Sequence, residues 1–149
     1  MTQPSTMSGF VAAALLAAAA VTFNATPSAA SGARLECDAN GPHQTGLHAR
    51  YEERVRPTIT RKKFDAQFEA LAGGGFSAGQ RINFLVDNVN VGSALLKVIV
   101  GSELAAELSL DSRPDNGDKP FPSNWPGIHA GSTVKAKLGT QVLLGCTVQ

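Results

Sequence analysis

Arg81-Ile82-Asn83-Phe84-Leu85-Val86-Asp87-Asn88-Val89-Asn90-Val91-Gly92 is the stretch that decides the fold class. Ile82, Phe84 and Val86 fall on every second residue, which places them on one face of an extended strand. Asp87-Asn88 reads as a hairpin turn, because both side chains tolerate the positive φ that a tight turn requires. Val89 and Val91 then resume the alternation, and Gly92 interrupts it as a bulge or sharp bend would.

The same period of two extends outward in both directions. Upstream, Leu47, Ala49, Tyr51, Glu53 and Val55 share a face against His48, Arg50, Glu52 and Arg54. Glu53 spoils that apolar face, so this strand is expected at a sheet edge. After Arg56-Pro57, Phe64, Ala66, Phe68 and Ala70 alternate with Lys63, Asp65, Gln67 and Glu69, until Gly73-Gly74-Gly75 ends the strand. Downstream, Ser93 to Val100 is nearly continuously apolar. Its β-branched Val98-Ile99-Val100 and the following Gly101-Ser102 favour a strand covered on both faces. Leu104, Ala106, Leu108 and Leu110 alternate again, although helix propensity is high there.

Asp111 to Gly131 holds four of the eight prolines and reads as a long surface loop. Thr133 to Leu138 and Val142 to Val148 form a last pair of strands, with Val142, Leu144, Cys146 and Val148 on one face. The expected fold is all-β: a single antiparallel β-sandwich of about seven strands, with an open barrel as the alternative.

Ala78-Gly79-Gln80, Ile82 to Asp87 and Val91-Gly92-Ser93-Ala94 together resemble the strand, turn and strand of small secreted bacterial immunoglobulin-like domains. In those domains a pattern of the form v-x-v-x-V-D-G-x-x-V-G-x-A recurs. Asn88 stands here where the pattern has glycine. Ala130-Gly131-Ser132-Thr133-Val134 is similar to the turn before their final strands. The resemblance implies an immunoglobulin-like sandwich and brings no catalytic residue with it.

Charge divides the chain sharply. All 13 Lys and Arg and all 12 Asp and Glu lie from Arg34 onward. Before that boundary, the run Phe10 to Phe23 is uncharged and Ala-rich. It is short for a membrane span, which needs about 20 residues, and has the length of a secretory apolar region. Residues 1–30 are therefore expected to be a signal peptide cleaved after Ala30, or after Ala33 if Ser31-Gly32-Ala33 is the site read. The β-sandwich domain would occupy 34–149, secreted or periplasmic, with no membrane span after cleavage. Glu36 before Cys37 argues against lipidation of that cysteine. The net charge of +1 supplies no bulk attraction for nucleic acid or an anionic membrane surface.

Cys37 and Cys146 frame this domain, and an oxidising compartment permits them to pair. Closing a loop of about 100 residues is worth up to about 4.7 kcal/mol in the chain-entropy description.

Several residue groups are candidate sites. Asp115 and Asp118, with Asp111 and Asn116, offer oxygen ligands in one loop but lack the spacing of a helix-flanked calcium loop. Phe121 and Trp125, set among prolines, suit a carbohydrate or peptide grip, or a lid over one end of the sandwich. Arg61, Lys62 and Lys63 could meet an anion, or could guard an exposed strand edge. Cys37, His43 and His48 match no zinc spacing. No catalytic constellation converges, and no cofactor or metal is expected. The expected protein is a non-catalytic structural or interaction module whose partner is an envelope protein or glycan. A ligand- or metal-binding protein using residues 111–131 is the alternative, and a secreted enzyme the third reading.

Overall fold

The computed structural model describes residues 32–149. The expected signal peptide and its cleavage after Ala30 lie outside the described residues. Nine strands follow one another: β1 (Ala33–Gly41), β2 (Thr45–Arg56), β3 (Ile59–Leu71), β4 (Arg81–Val86), β5 (Val89–Leu95), β6 (Lys97–Val100), β7 (Glu103–Asp111), β8 (Thr133–Leu138) and β9 (Gln141–Thr147). They form a five-stranded sheet, β1-β2-β3-β7-β6, and a four-stranded sheet, β5-β4-β8-β9, with every pairing antiparallel. Counted from β2, the order is A-B-E-D in one sheet and C′-C-F-G in the other. That is the strand order of an immunoglobulin sandwich with β1 added outside strand A.

Alternation builds the core as the sequence implies. Phe64, Ala66, Phe68 and Ala70 of β3 face Ile82, Phe84 and Val86 of β4 across the sandwich, all buried. Each large apolar side chain removed from water in this way contributes about 1.5–3 kcal/mol. Asp87 and Asn88 both have positive φ, 46° and 68°, the signature of a tight hairpin turn matched to strand twist. Gly92 sits at the bulge of the β4–β5 pair. A methyl group there would stand 2.9 Å from both terminal carbons of Leu108, so the glycine permits β5 to approach β7 closely.

The disulfide joins Cys37 of β1 to Cys146 of β9, with Cα atoms 5.7 Å apart. Antibody domains place their bond between strands B and F; here it ties the outer strand of one sheet to the outer strand of the other. The backbones of Glu36 and Gln149 exchange two hydrogen bonds at the same seam, 3.2 and 3.1 Å.

Four local expectations are corrected. β2 is not an edge strand: β1, whose Leu35, Cys37 and Ala39 alternate with charged and polar residues, covers it. Glu53 is tolerated on its apolar face because it accepts a hydrogen bond from Tyr51 Oη at 3.1 Å. Burial, and then this bond, push the Tyr51 phenol up to about 12. Arg61, Lys62 and Lys63 guard no edge, since β3 is the middle strand of its sheet. Val142 leaves the core face because a register shift between β8 and β9 changes the phase of the strand, and it is 51 % exposed. The run from Ser93 to Val100 is two strands in different sheets, and its second half is uncovered.

Candidate functional site

The uncovered half of that run is the most distinctive surface of the described chain. Leu96, buried, lies between β5 and β6. Its N–H donates to Gln80 O and its carbonyl accepts from Gly79 N, both at 2.8 Å, so the loop before β4 pins the crossing. β6 then pairs with β7 on one side only. A register shift between Val98 and Val100 leaves Ile99 out of the ladder. Val98, Ile99 and Val100 are 59, 58 and 62 % exposed. An edge strand carrying three consecutive apolar β-branched side chains is one that soluble proteins usually shorten, charge or cover.

The edge continues past β6 with a gap. Ala105 of β7 stands opposite Lys97. Further along, Ser109 O accepts from Lys119 N at 2.9 Å, and Asp111 N donates to Lys119 O at 2.8 Å. Ser109 and Asp111 thus aim their backbone groups at this edge, and period two aims those of Glu107 the same way. Among the described residues no strand lies beside Glu107 on that side. Over the gap runs an open groove of about 1090 Å³, floored by Lys63, Asp65 and Gln67 of β3 with Ala105, Glu107 and Ser109 of β7. Ser93, Leu95, Lys97, Val98 and Ile99 form one wall, and residues Asn116 to Lys119 contribute the other.

The outer face of the five-stranded sheet is otherwise occupied by its own charges. Arg34, Glu52, Lys63 and Asp111 stand in one cross-strand row, and Glu36, Arg50, Asp65 and Ser109 in the next. Opposite charges directly across a pair support the register. Arg61 bonds Asp111 through Nε at 3.1 and 3.0 Å and Asp115 through Nη2 at 3.0 Å. Lys62 lies 3.9 Å from Glu53, and Lys63 lies 3.7 Å from Asp65 and 3.6 Å from Asp118. The three cations proposed for an anion are therefore each held by a carboxylate of the chain.

The loop candidates are placed as firmly. Trp125 packs on Phe64 with ring centroids 5.2 Å apart and stacks on Tyr51 at 6.5 Å, while Phe121 meets Trp125 edge-on at 4.7 Å. Both aromatics lie partly buried against the core. Asp115 and Asp118 close a turn, with Asp118 N donating to Asp115 O at 3.1 Å. Asp111 is fully buried and also accepts from Arg113 N at 2.8 Å. Cys37, His43 and His48 do not converge: the thiol is in the disulfide and His48 Nδ1 lies 2.6 Å from Asp38 Oδ1. Among the described residues no group of three such side chains is close enough to hold a metal ion.

Comparison of the chain with protein-family models, curated proteins and solved structures gives no match. The surface must be read from its own chemistry.

Asp111 supplies a prediction about pH. Burial raises its carboxyl, but the hydrogen bonds from Arg61 and the Arg113 N–H outweigh that and hold it below the usual carboxylate range. Glu52 is depressed in the same direction: burial opposes, and Arg50 and Arg54 prevail. Asp87 is depressed chiefly by the Thr133 N–H. A carboxylate with a lowered folded pKa contributes its stability in full above its unfolded value of about 4, and loses it as pH falls through the folded value. Stability measured by urea unfolding is therefore expected to be flat near neutrality and to fall steeply below about pH 4. Asp111→Asn is expected to cost about 1.5–3 kcal/mol at neutral pH and to make the acid limb shallower. An acid limb as steep as that of the unsubstituted protein would show that other groups govern it.

Proposed function

We propose that this protein is a non-catalytic extracytoplasmic interaction module that holds an extended segment of a partner protein against the β6 edge. The observation carrying this reading is the exposed run Val98-Ile99-Val100 on a strand with one free side. Addition of a strand to such an edge draws affinity from main-chain hydrogen bonds and selectivity from alternate side chains. The disulfide supports a compartment outside the cytoplasm, where such bonds persist. The strand order supports the resemblance to small immunoglobulin-like domains, which implies a scaffold and no chemistry of its own. Within the envelope, a peptide edge suits a protein partner better than a glycan, because carbohydrate cannot continue a backbone ladder.

The test replaces Val98, Ile99 and Val100 together by threonine, which keeps β-branching and removes exposed apolar area. Unfolding free energy is expected to change by less than about 1 kcal/mol, as for surface substitutions generally. A photo-crosslinking residue at position 99, introduced in the producing cells, is expected to attach to an extended segment of one envelope protein. The same residue at Val142, equally exposed on the other sheet, should attach to none. Equal labelling from both positions, or hydrolytic turnover by the purified protein, would overturn the reading.

A further inference from the structure

We infer that the segment received at the β6 edge is acidic, its carboxylates held by Arg81, Lys97 and Lys119 in the groove beside that edge. This rests on the strand-addition reading and adds the chemistry of the partner. All three cations line the groove, and among the described residues none has a carboxylate within ion-pair distance. They contrast with Arg61, Lys62 and Lys63, which are each engaged by the chain's own acids.

Two of the three are braced on the same short strand. Arg81 Nη1 donates to Ser93 Oγ at 3.0 Å, and Lys119 Nζ donates to Ser93 O at 3.3 Å. Lys97 starts β6 itself and stands opposite Ala105, while Lys119 continues the edge four positions further along β7, at Ser109. The gap at Glu107 therefore lies between two cations. Asp65 and Asp118 in the same groove share Lys63. Glu107 is the carboxylate lining the groove that lacks an ion-pair partner; counted in full, the lining holds Lys63, Arg81, Lys97 and Lys119 against Asp65, Glu107 and Asp118, a balance of one positive charge.

The three unpaired cations argue against a second copy of this chain as occupant. Pairing β6 with its own image would face two identical sets of uncompensated cations across one seam, and like charges brought together disfavour association. An acidic segment that also carries apolar residues satisfies both features: apolar side chains cover Val98 and Ile99, which line the groove, and carboxylates reach the cations.

A random peptide library displayed on phage, selected against the full chain as recovered from its producing cells, tests this directly. Enriched sequences are expected to combine apolar residues with Asp or Glu, and binding of a selected peptide should weaken steeply with added salt. Arg81→Ser, Lys97→Ser and Lys119→Ser combined should weaken that peptide about tenfold or more and abolish the acidic bias in a repeat selection. Enrichment of sequences without acidic bias, lost on the threonine replacement of Val98, Ile99 and Val100, would overturn the charge inference and leave the edge reading standing. Enrichment that survives the threonine replacement, or none at all, would overturn both. A concentration-dependent dimer in solution, abolished by the same threonine replacement, would assign the edge to self-association and likewise overturn the inference.

Discussion

Trp125→Ala is expected to destabilise the protein by about 3 kcal/mol, at the low end for removing a large aromatic because the ring is only partly buried. The indole bridges Phe121 of its own loop to Phe64 and Tyr51 of the sheet. Its removal opens a cavity over Phe64, a fully buried residue at the centre of the five-stranded sheet, and frees the loop at the same time. Residues 112–131 are otherwise held by the bridge of Lys119 to β7, the Arg61 and Lys63 ion pairs, bonds from Lys119 to Ser93 O and from Asn124 to Asn90 O, the backbone bonds of Ser112 and Gly131 at the loop ends, and turns such as Trp125 N to Pro122 O at 3.0 Å. Limited proteolysis is therefore expected to cut the variant between Pro114 and Ala130 well before the unsubstituted protein, with a parallel fall in the urea midpoint. An unchanged midpoint would mean that the aromatics are surplus to packing, and the reading of this loop as a carbohydrate or peptide grip would regain its force.

Removal of the disulfide, by reduction or by Cys37→Ser with Cys146→Ser, is expected to cost about 2–5 kcal/mol. The bond closes a loop of 109 residues and so restricts almost the whole described chain when it is unfolded. In the native state it also fastens the two sheets at one side. Without it, the backbone bonds between Glu36 and Gln149 and the apolar contacts beside them would have to hold that seam. For a domain of this size the melting temperature should fall by roughly 15 °C, which thermal unfolding with and without reductant would measure. A shift of only a degree or two would show that the apolar contacts of Leu35, Leu144 and Val148 carry the seam unaided.

The candidate surface was less apparent in the sequence than the fold, and particular residues show why. Lys97-Val98-Ile99-Val100 is the most β-branched apolar run in the chain, and such composition ordinarily signals a strand buried on both faces. Its exposure follows from its neighbours in space. Leu96 turns the chain from one sheet into the other, and β6 arrives outside β7 where the ladder ends. Arg61, Lys62 and Lys63 mislead in the opposite sense. They are the densest basic run in the sequence, yet Glu53, Asp65, Asp111, Asp115 and Asp118 reach them from distant positions. Arg81, Lys97 and Lys119 are scattered singly along the chain and converge only after folding.

Alternation by itself determined the buried faces of β3, β4 and β7 and where the β4–β5 hairpin turns, because side chains of an extended chain point to opposite sides in strict succession. It also carried the signal for β1, whose Leu35, Cys37 and Ala39 face inward. What a local period cannot encode is lateral position: every interior strand and every edge strand obeys the same rule. Strand order, the one-residue shifts that turn Val142 outward and Ile99 out of the ladder, and the pairing of charges across strands were decided by the tertiary structure. Those are long-range choices, made by which faces close on one another. They alone leave β6 bare.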